Sequence, residues 1–304
     1  MEQSIAILAT AQEVQMTTAT TLVLGATGKT GRRVVERLSA RGLTVRLGSR
    51  SGMPPFDWTA PETWPAALQG VDAVYVSYFP DFIAPGAFDA IRDFTTLAVS
   101  SGVSRLVLLS GRGAPEAESC EELVRQSGVA STIVRASWFS QNFSESFLLD
   151  AILAGEVALP VGDNVGEPFV DADDLADIAV EALTDERHEG QLYDVTGPRL
   201  LTFSQAVAEI ARATGRDIRY SHVSRDAYEA ALATQAPVEF VKLFVHLLTE
   251  VLDGRNAHVT DGVERALGRP PREFSAFVRD VVAAGTWTSA QELAAPESYG
   301  NATD

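Results

Sequence analysis

From Thr21 to Arg135, short apolar runs alternate with longer amphipathic stretches, and glycine or proline stands at most of the junctions. The first run, Thr21-Leu22-Val23-Leu24, leads into Gly25-Ala26-Thr27-Gly28-Lys29-Thr30-Gly31 and then into an amphipathic segment at 32–38. Residues 44–51, 72–77, 105–110 and 131–135 also read as β-rich runs, the last three counted as the fourth, fifth and sixth strands. Between them, 61–69 (with Thr59 as its N-cap), 87–101 (stopped by Gly102) and 116–127 (stopped by Gly128) read as helices. Near-continuous apolar strands separated by helices predict an α/β fold, a doubly wound parallel (Rossmann) sheet covered on both faces.

Beyond about Ala154 the texture changes. A short strand is expected at 167–171, then a helix at 175–183 capped by Asp173 or Asp174. A strand at 192–195, a helix at 203–214 stopped by Gly215, a strand at 218–222 and further helices follow. These make a smaller C-terminal α+β lobe at 155–287, partly interleaved with a nucleotide-binding domain at 17–154. The extension 1–16 and the tail 288–304 are expected to be disordered, with Met16 as an alternative start. The segment 238–252 is apolar around most of its helical circumference, which predicts core packing, with a lid or homodimer surface as the alternative.

The glycine turn carries the first chemical signal. Strand, glycine turn and helix in that order form a phosphate cradle: glycine permits a tight turn, and the helix N-terminus offers unpaired N–H groups to a pyrophosphate. Gly25, Thr27, Gly28, Lys29, Thr30 and Gly31 are the residues assigned to it. An NAD-preferring site carries an acid at the end of the second strand to hold the ribose 2′-hydroxyl. No acid lies between Arg37 and Phe56, and the strand ends in Ser49-Arg50-Ser51. A guanidinium flanked by hydroxyls suits a 2′-phosphate, so NADP(H) is the expected cofactor, with Ser49 and Arg50 at that phosphate.

Composition narrows the partners. The 304 residues carry a net charge of −17 without a basic run, which argues against a nucleic-acid partner. No apolar run is long enough for a membrane span, and the single cysteine, Cys120, fits a reducing, cytoplasmic setting. The four histidines lack ligand spacing, so no metal site is predicted, and Asp171, Asp173 and Asp174 read as helix-capping acids. The lysines are two, Lys29 and Lys242, with Gly25 and Val238 four residues before them. A Tyr-x-x-x-Lys pair, the proton-donating device common among reductases of this fold, is therefore impossible. Ligands in such sheets sit beyond the carboxyl ends of the strands, which makes Ser77, Tyr78 and Phe79, then Ser110 and Arg112, then Ala136, Ser137, Trp138, Phe139, Gln141 and Asn142 the candidates there. Tyr78 or Ser110 is the candidate proton donor, and Trp138 and Phe139 are the candidate walls for an apolar substrate.

Taken together, the glycine turn, Gly48-Ser49-Arg50, Phe56-Asp57-Trp58, Val71-Asp72-Ala73-Val74-Tyr75, Leu108-Leu109-Ser110 and Arg135-Ala136-Ser137-Trp138-Phe139 resemble the NmrA-like branch of atypical short-chain dehydrogenase/reductases. More narrowly, the chain is similar to the group holding agroclavine and festuclavine dehydrogenases and their bacterial relatives. The resemblance spans residues 21–287. It implies NADP(H) on the glycine turn, Arg50 at the 2′-phosphate and Asp57-Trp58 near the adenine. It also implies a reductase of a hydrophobic conjugated or iminium-type electrophile from secondary metabolism. The alternatives are a cofactor-sensing regulator without turnover, or a redox-silent cyclase or isomerase. Some isoflavone-reductase-like members keep a catalytic lysine after the strand at 105–110. Here that region offers Ala117, Glu118 and Cys120, which argues against lysine-dependent carbonyl chemistry.

Overall fold

A computed structural model describes residues 19–288, so the expectations for 1–16 and nearly all of the 288–304 tail lie outside the described residues. In chain order, β1 (Thr20–Leu24), α1 (Lys29–Ala40), β2 (Thr44–Gly48), α2 (Trp64–Leu68), β3 (Ala73–Val76), α3 (Ala87–Ser100), β4 (Arg105–Gly111), α4 (Pro115–Arg125) and β5 (Ala130–Ala136) build the first half. Then come α5 (Leu149–Ala154), β6 (Glu156–Leu159), α6 (Ala172–Thr184), β7 (Leu192–Val195), α7 (Phe203–Thr214) and β8 (Arg219–His222). Four helices close the fold: α8 (Arg225–Leu232), α9 (Val238–His246), α10 (Gly262–Leu267) and α11 (Phe274–Ala283).

The main sheet is six-stranded, wholly parallel, in the order β2-β1-β3-β4-β5-β7. From β1 the chain moves outward to β2 and then crosses to β3 on β1's other side. The crevice between the carboxyl ends of β1 and β3 is thus a topological switch point, the usual ligand position in open α/β sheets. Period-two alternation feeds both faces of the sheet. Leu22, Leu24, Val74, Val76, Leu106 and Leu108 pack on one side with Phe94, Ala117 and Val124. Val23, Tyr75, Val107 and Val134 pack on the other with Val34, Leu38, Leu175 and Ile178. A third core lies in the C-terminal lobe, built around Phe143, Phe169, Phe203, Phe274, Phe277 and Trp287 beside the parallel pair β6–β8. Although they follow residue 154, α6 packs against α1, and β7 completes the main sheet beside β5.

Several local expectations need correction. No strand lies between β2 and β3, so the strands at 73–76, 105–111 and 130–136 are the third, fourth and fifth. Residues 167–171 form isolated bridges, Phe139 with Val170 and Glu167 with Leu201, because Pro168 has no N–H to extend a ladder. Thr59 caps no helix: its hydroxyl and N–H both donate to the Asp57 carboxylate, and Ala60 holds the cap position of the short 3₁₀ turn Pro61–Thr63. Helix α6 begins at Ala172, with Asp171 as its N-cap accepting the Asp173 N–H at 2.9 Å.

The other two acids expected at that cap serve packing between elements. Asp173 pairs with Arg37 at 2.6 Å and Arg33 at 3.3 Å. Asp177 pairs with Arg37, and Glu181 with Arg41, so arginines every fourth residue on α1 face acids every fourth residue on α6. Asp174, fully buried, accepts from Arg269 and from the Arg272 backbone N–H, each at 2.7 Å. Asp171 also accepts from the Gln141 amide at 2.7 Å, and the Gln141 carbonyl takes the Ala172 N–H at 2.8 Å. Asp171→Ala therefore removes a cap and strands a buried amide. A loss of about 2–3 kcal/mol in unfolding free energy is expected from those two effects. A lowered urea midpoint at unchanged m-value checks it.

Candidate functional site

A cleft of about 920 Å³ opens at the carboxyl edge of the sheet, with α9 across from it. Thirteen of the fourteen residues assigned from the sequence line it: Gly25, Thr27, Gly28, Lys29, Thr30, Ser49, Arg50, Asp57, Trp58, Ser77, Tyr78, Ser110 and Trp138. The fourteenth, Gly31, is buried behind the turn, where a Cβ would sit 2.1 Å from the Gly25 carbonyl oxygen.

At one end the backbone presents donors. Gly25 takes a left-handed conformation at φ 65°, and Gly28 occupies the N-cap of α1 without a side chain to spend on the helix. Among the described residues, the N–H groups of Lys29, Thr30 and Gly31 have no acceptor. Burial draws the Lys29 ammonium below its ordinary value, against the opposing pull of Glu145. Glu145 also lines the cleft and is held by Arg32 and Arg33, the latter at 2.8 Å. Arg50 is exposed and makes no hydrogen bond or ion pair among the described residues, while Ser49 and Ser51 meet hydroxyl to hydroxyl at 3.4 Å. Trp58 donates its indole N–H to the Ser77 carbonyl at 3.0 Å, tying the loop after β2 to the end of β3. Unpaired amides, a left-handed glycine and a free guanidinium together fit a phosphorylated dinucleotide.

The other end is aromatic and acidic. Tyr78 packs against Trp58 at 5.0 Å and Phe82 at 5.7 Å, and burial raises its hydroxyl above the ordinary value. Ser110 donates its proton to Glu121 at 2.6 Å, and Arg135 clamps the same carboxylate, so this hydroxyl is already committed. Trp138 stands edge-on to Phe147, which meets Phe244 of α9, and Phe244 stacks on Phe240 at 4.4 Å. Helix α9 continues as a π-helical turn at Leu247–Val251. One side of this segment, with Val241, Val245 and Leu248, is core, while Phe240, Leu243, Phe244 and Leu247 face the cleft. Its apolar circumference thus reflects two contacts, a core and a ligand cavity, with Val238 left 61% exposed.

Of two further groups here, Arg112 is a candidate from the sequence and Glu167 escaped that reading. Arg112, buried just after β4, pairs with Asp194 at 2.7 Å and reaches the His258 ring at 2.7 Å and the Asn256 carbonyl at 3.2 Å. It thereby holds the loop before α10 against the sheet. Glu167 is 1% exposed, lines the cleft, and accepts the Trp138 backbone N–H at 3.2 Å. A lone acid between Gly166 and Pro168 in an otherwise apolar stretch was its one sequence signal.

Comparison with known proteins bears on this arrangement. The model of the NmrA-like family matches residues 117–276. The chain is 33% identical over 273 residues to a (4-alkanoyl-5-oxo-2,5-dihydrofuran-3-yl)methyl phosphate reductase of Streptomyces griseus, covering 83% of this chain and 94% of that protein. It is 31% identical over 289 residues to an NAD(P)H azoreductase of Xenophilus azovorans, covering 86% and 98%. Agroclavine dehydrogenase of Claviceps fusiformis is 28% identical over 282 residues, covering 86% and 96%. Among solved structures, Citrobacter triphenylmethane reductase complexed with NADP(H) shares the fold at TM-score 0.70 and 17% identity, covering 86% of this chain and 99% of that one. The negative transcriptional regulator NmrA shares it at TM-score 0.65 and 18% identity, covering 88% and 96%. A family model matching more than half of the chain, and relatives above 30% identity along most of its length, establish that this protein belongs to the NmrA-like family.

Proposed function

We propose that the chain is an NADPH-dependent reductase acting on a hydrophobic electrophile of the conjugated or iminium type. The observation that carries the reading is the cleft itself: free amides and the free Arg50 at one end run into the walls of Trp138, Phe240 and Phe244 at the other. Relatives named as reductases of an azo compound and of an unsaturated lactone, and a clavine dehydrogenase, support it. When bound, the cofactor supplies a hydride. Gly25, Thr27, Gly28, Lys29 and Thr30 would hold its phosphate-bearing part, with Ser49 and Arg50 at the 2′-phosphate, Asp57-Trp58 near the adenine and Ser77 toward the nicotinamide.

The substrate class follows from what the cleft lacks. Reducing an isolated ketone leaves an alkoxide, which needs a strong, well-placed acid. The tyrosine–lysine pair that usually provides it is absent, and the Ser110 proton is bound to Glu121. An iminium carbon that accepts hydride loses its positive charge and needs no proton in that step. A quinone, an enone or an azo group spreads the new negative charge, so a weaker donor suffices. The aromatic walls contribute position and the exclusion of water.

Two measurements test the reading. In calorimetry, Arg50→Ala should weaken NADPH by about 1.5–3 kcal/mol, the worth of a charge-assisted phosphate contact, and leave NADH nearly unchanged. An unaltered NADPH affinity would remove Arg50 from the 2′-phosphate. In an NADPH-oxidation screen, turnover is expected with cyclic iminium ions, quinones and enones but not with simple ketones. Ketone-only turnover contradicts the mechanism. Tight NADPH binding without oxidation by any electrophile favours a cofactor-sensing role or redox-silent catalysis.

A further inference from the structure

The cleft wall beside Trp138 holds a carboxyl group with no structural need to be an acid. Glu167 is 1% exposed, and its backbone is fixed by paired bonds with Leu201, N–H to carbonyl at 2.9 and 3.0 Å. Its Oε1 accepts the Trp138 N–H, a duty that a glutamine carbonyl performs equally well. Arg112, whose charge acts on it, is already paired with Asp194 and bonded to His258, and no ion pair joins it to Glu167 among the described residues. A buried acid without a counter-ion, facing a ligand cavity, is costly unless it carries a proton.

We infer that Glu167, in the aromatic half of the cleft, hands a proton to the delocalised anion that hydride addition leaves on a conjugated substrate. The inference rests on the reductase reading above. Burial pushes the Glu167 carboxyl up to about 7, against smaller downward pulls from the Trp138 N–H, Arg112 and the Ser137 side chain. The group thus holds its proton over a large part of the neutral range.

For an enone the balance is simple. Hydride from NADPH forms a C–H bond at the β-carbon, and the C=C electron pair moves toward the carbonyl oxygen. The Glu167 O–H bond then breaks, its proton closes the enolate, and the carboxylate is reprotonated from water before the next turnover. Quinones take the proton on oxygen and azo groups on nitrogen. An iminium ion takes none, which supplies an internal control.

The test uses the full-length protein. Glu167→Gln keeps the acceptor for Trp138 and removes the proton. The ratio of enone to iminium turnover should fall about 10²-fold, the lower end of what a positioned acid contributes. Wild-type kcat on the enone should drop as pH rises through about 7, where the acid form is lost, and the variant should lack that limb. A readout free of turnover comes from carbon-13 NMR of glutamate carboxyls in the wild-type protein without cofactor. One carboxyl titrating near pH 7, absent from Glu167→Gln, is expected. If no glutamate titrates there, or if the variant keeps both the wild-type ratio and the alkaline limb, the inference is overturned while the reductase reading stands. If the wild-type protein binds NADPH but oxidises it with no electrophile, both fall together.

Discussion

The structure depends on one close approach. A Cβ at residue 31 would lie 2.1 Å from the Gly25 carbonyl oxygen, so the first turn of α1 can press against the end of β1 only because that atom is missing. The approach brings the helix N-terminus to the mouth of the β1/β3 crevice and leaves its first amides unpaired. Gly25 turns the chain at positive φ, and beyond it lies Ser77, whose Oγ would be 3.4 Å from a Cβ there. The far end of α1 inherits this placement. Its arginines at 33, 37 and 41 meet the acids of α6, which carries the C-terminal part of the chain back onto the sheet.

That return makes the second wall of the cleft. Asp171 caps α6 and holds Gln141, while the bridge between Phe139 and Val170 draws Trp138 and Glu167 together. Arg112 performs the matching task on the other side by holding the loop at 256–258 to the end of β4. The ion pairs between α1 and α6 are partly exposed, and each alone contributes little, on the order of 1 kcal/mol or less. Their value is positional: they orient an aromatic lobe over a cofactor cradle belonging to a different part of the chain.

The chemistry follows a similar division. Without a tyrosine–lysine pair the sheet edge offers binding and orientation more readily than strong acid. The aromatic row from Trp138 through Phe147 and Phe244 to Phe240 forms the apolar wall on which the proposed conjugated or iminium-type acceptor would lie. An acidic protein with an apolar cleft is consistent with small-molecule work, since a net charge of −17 repels phosphate polymers.

The sequence by itself determined the alternation of strands and helices, the glycine cradle, Arg50 at the end of the second strand and the impossibility of a tyrosine–lysine pair. Each of these is local: periodicity, turn chemistry and residue spacing act within a few residues and survive without knowledge of the fold. Tertiary structure decided the rest. Glu167 and Trp138 are 29 residues apart and Arg112 and His258 are 146 apart, so no spacing rule joins them. The double role of α9 and the commitment of Ser110 to Glu121 were equally hidden. Whether an apolar face meets a core or a cavity, and whether a carboxyl loses its water, depends on what the rest of the chain packs against it.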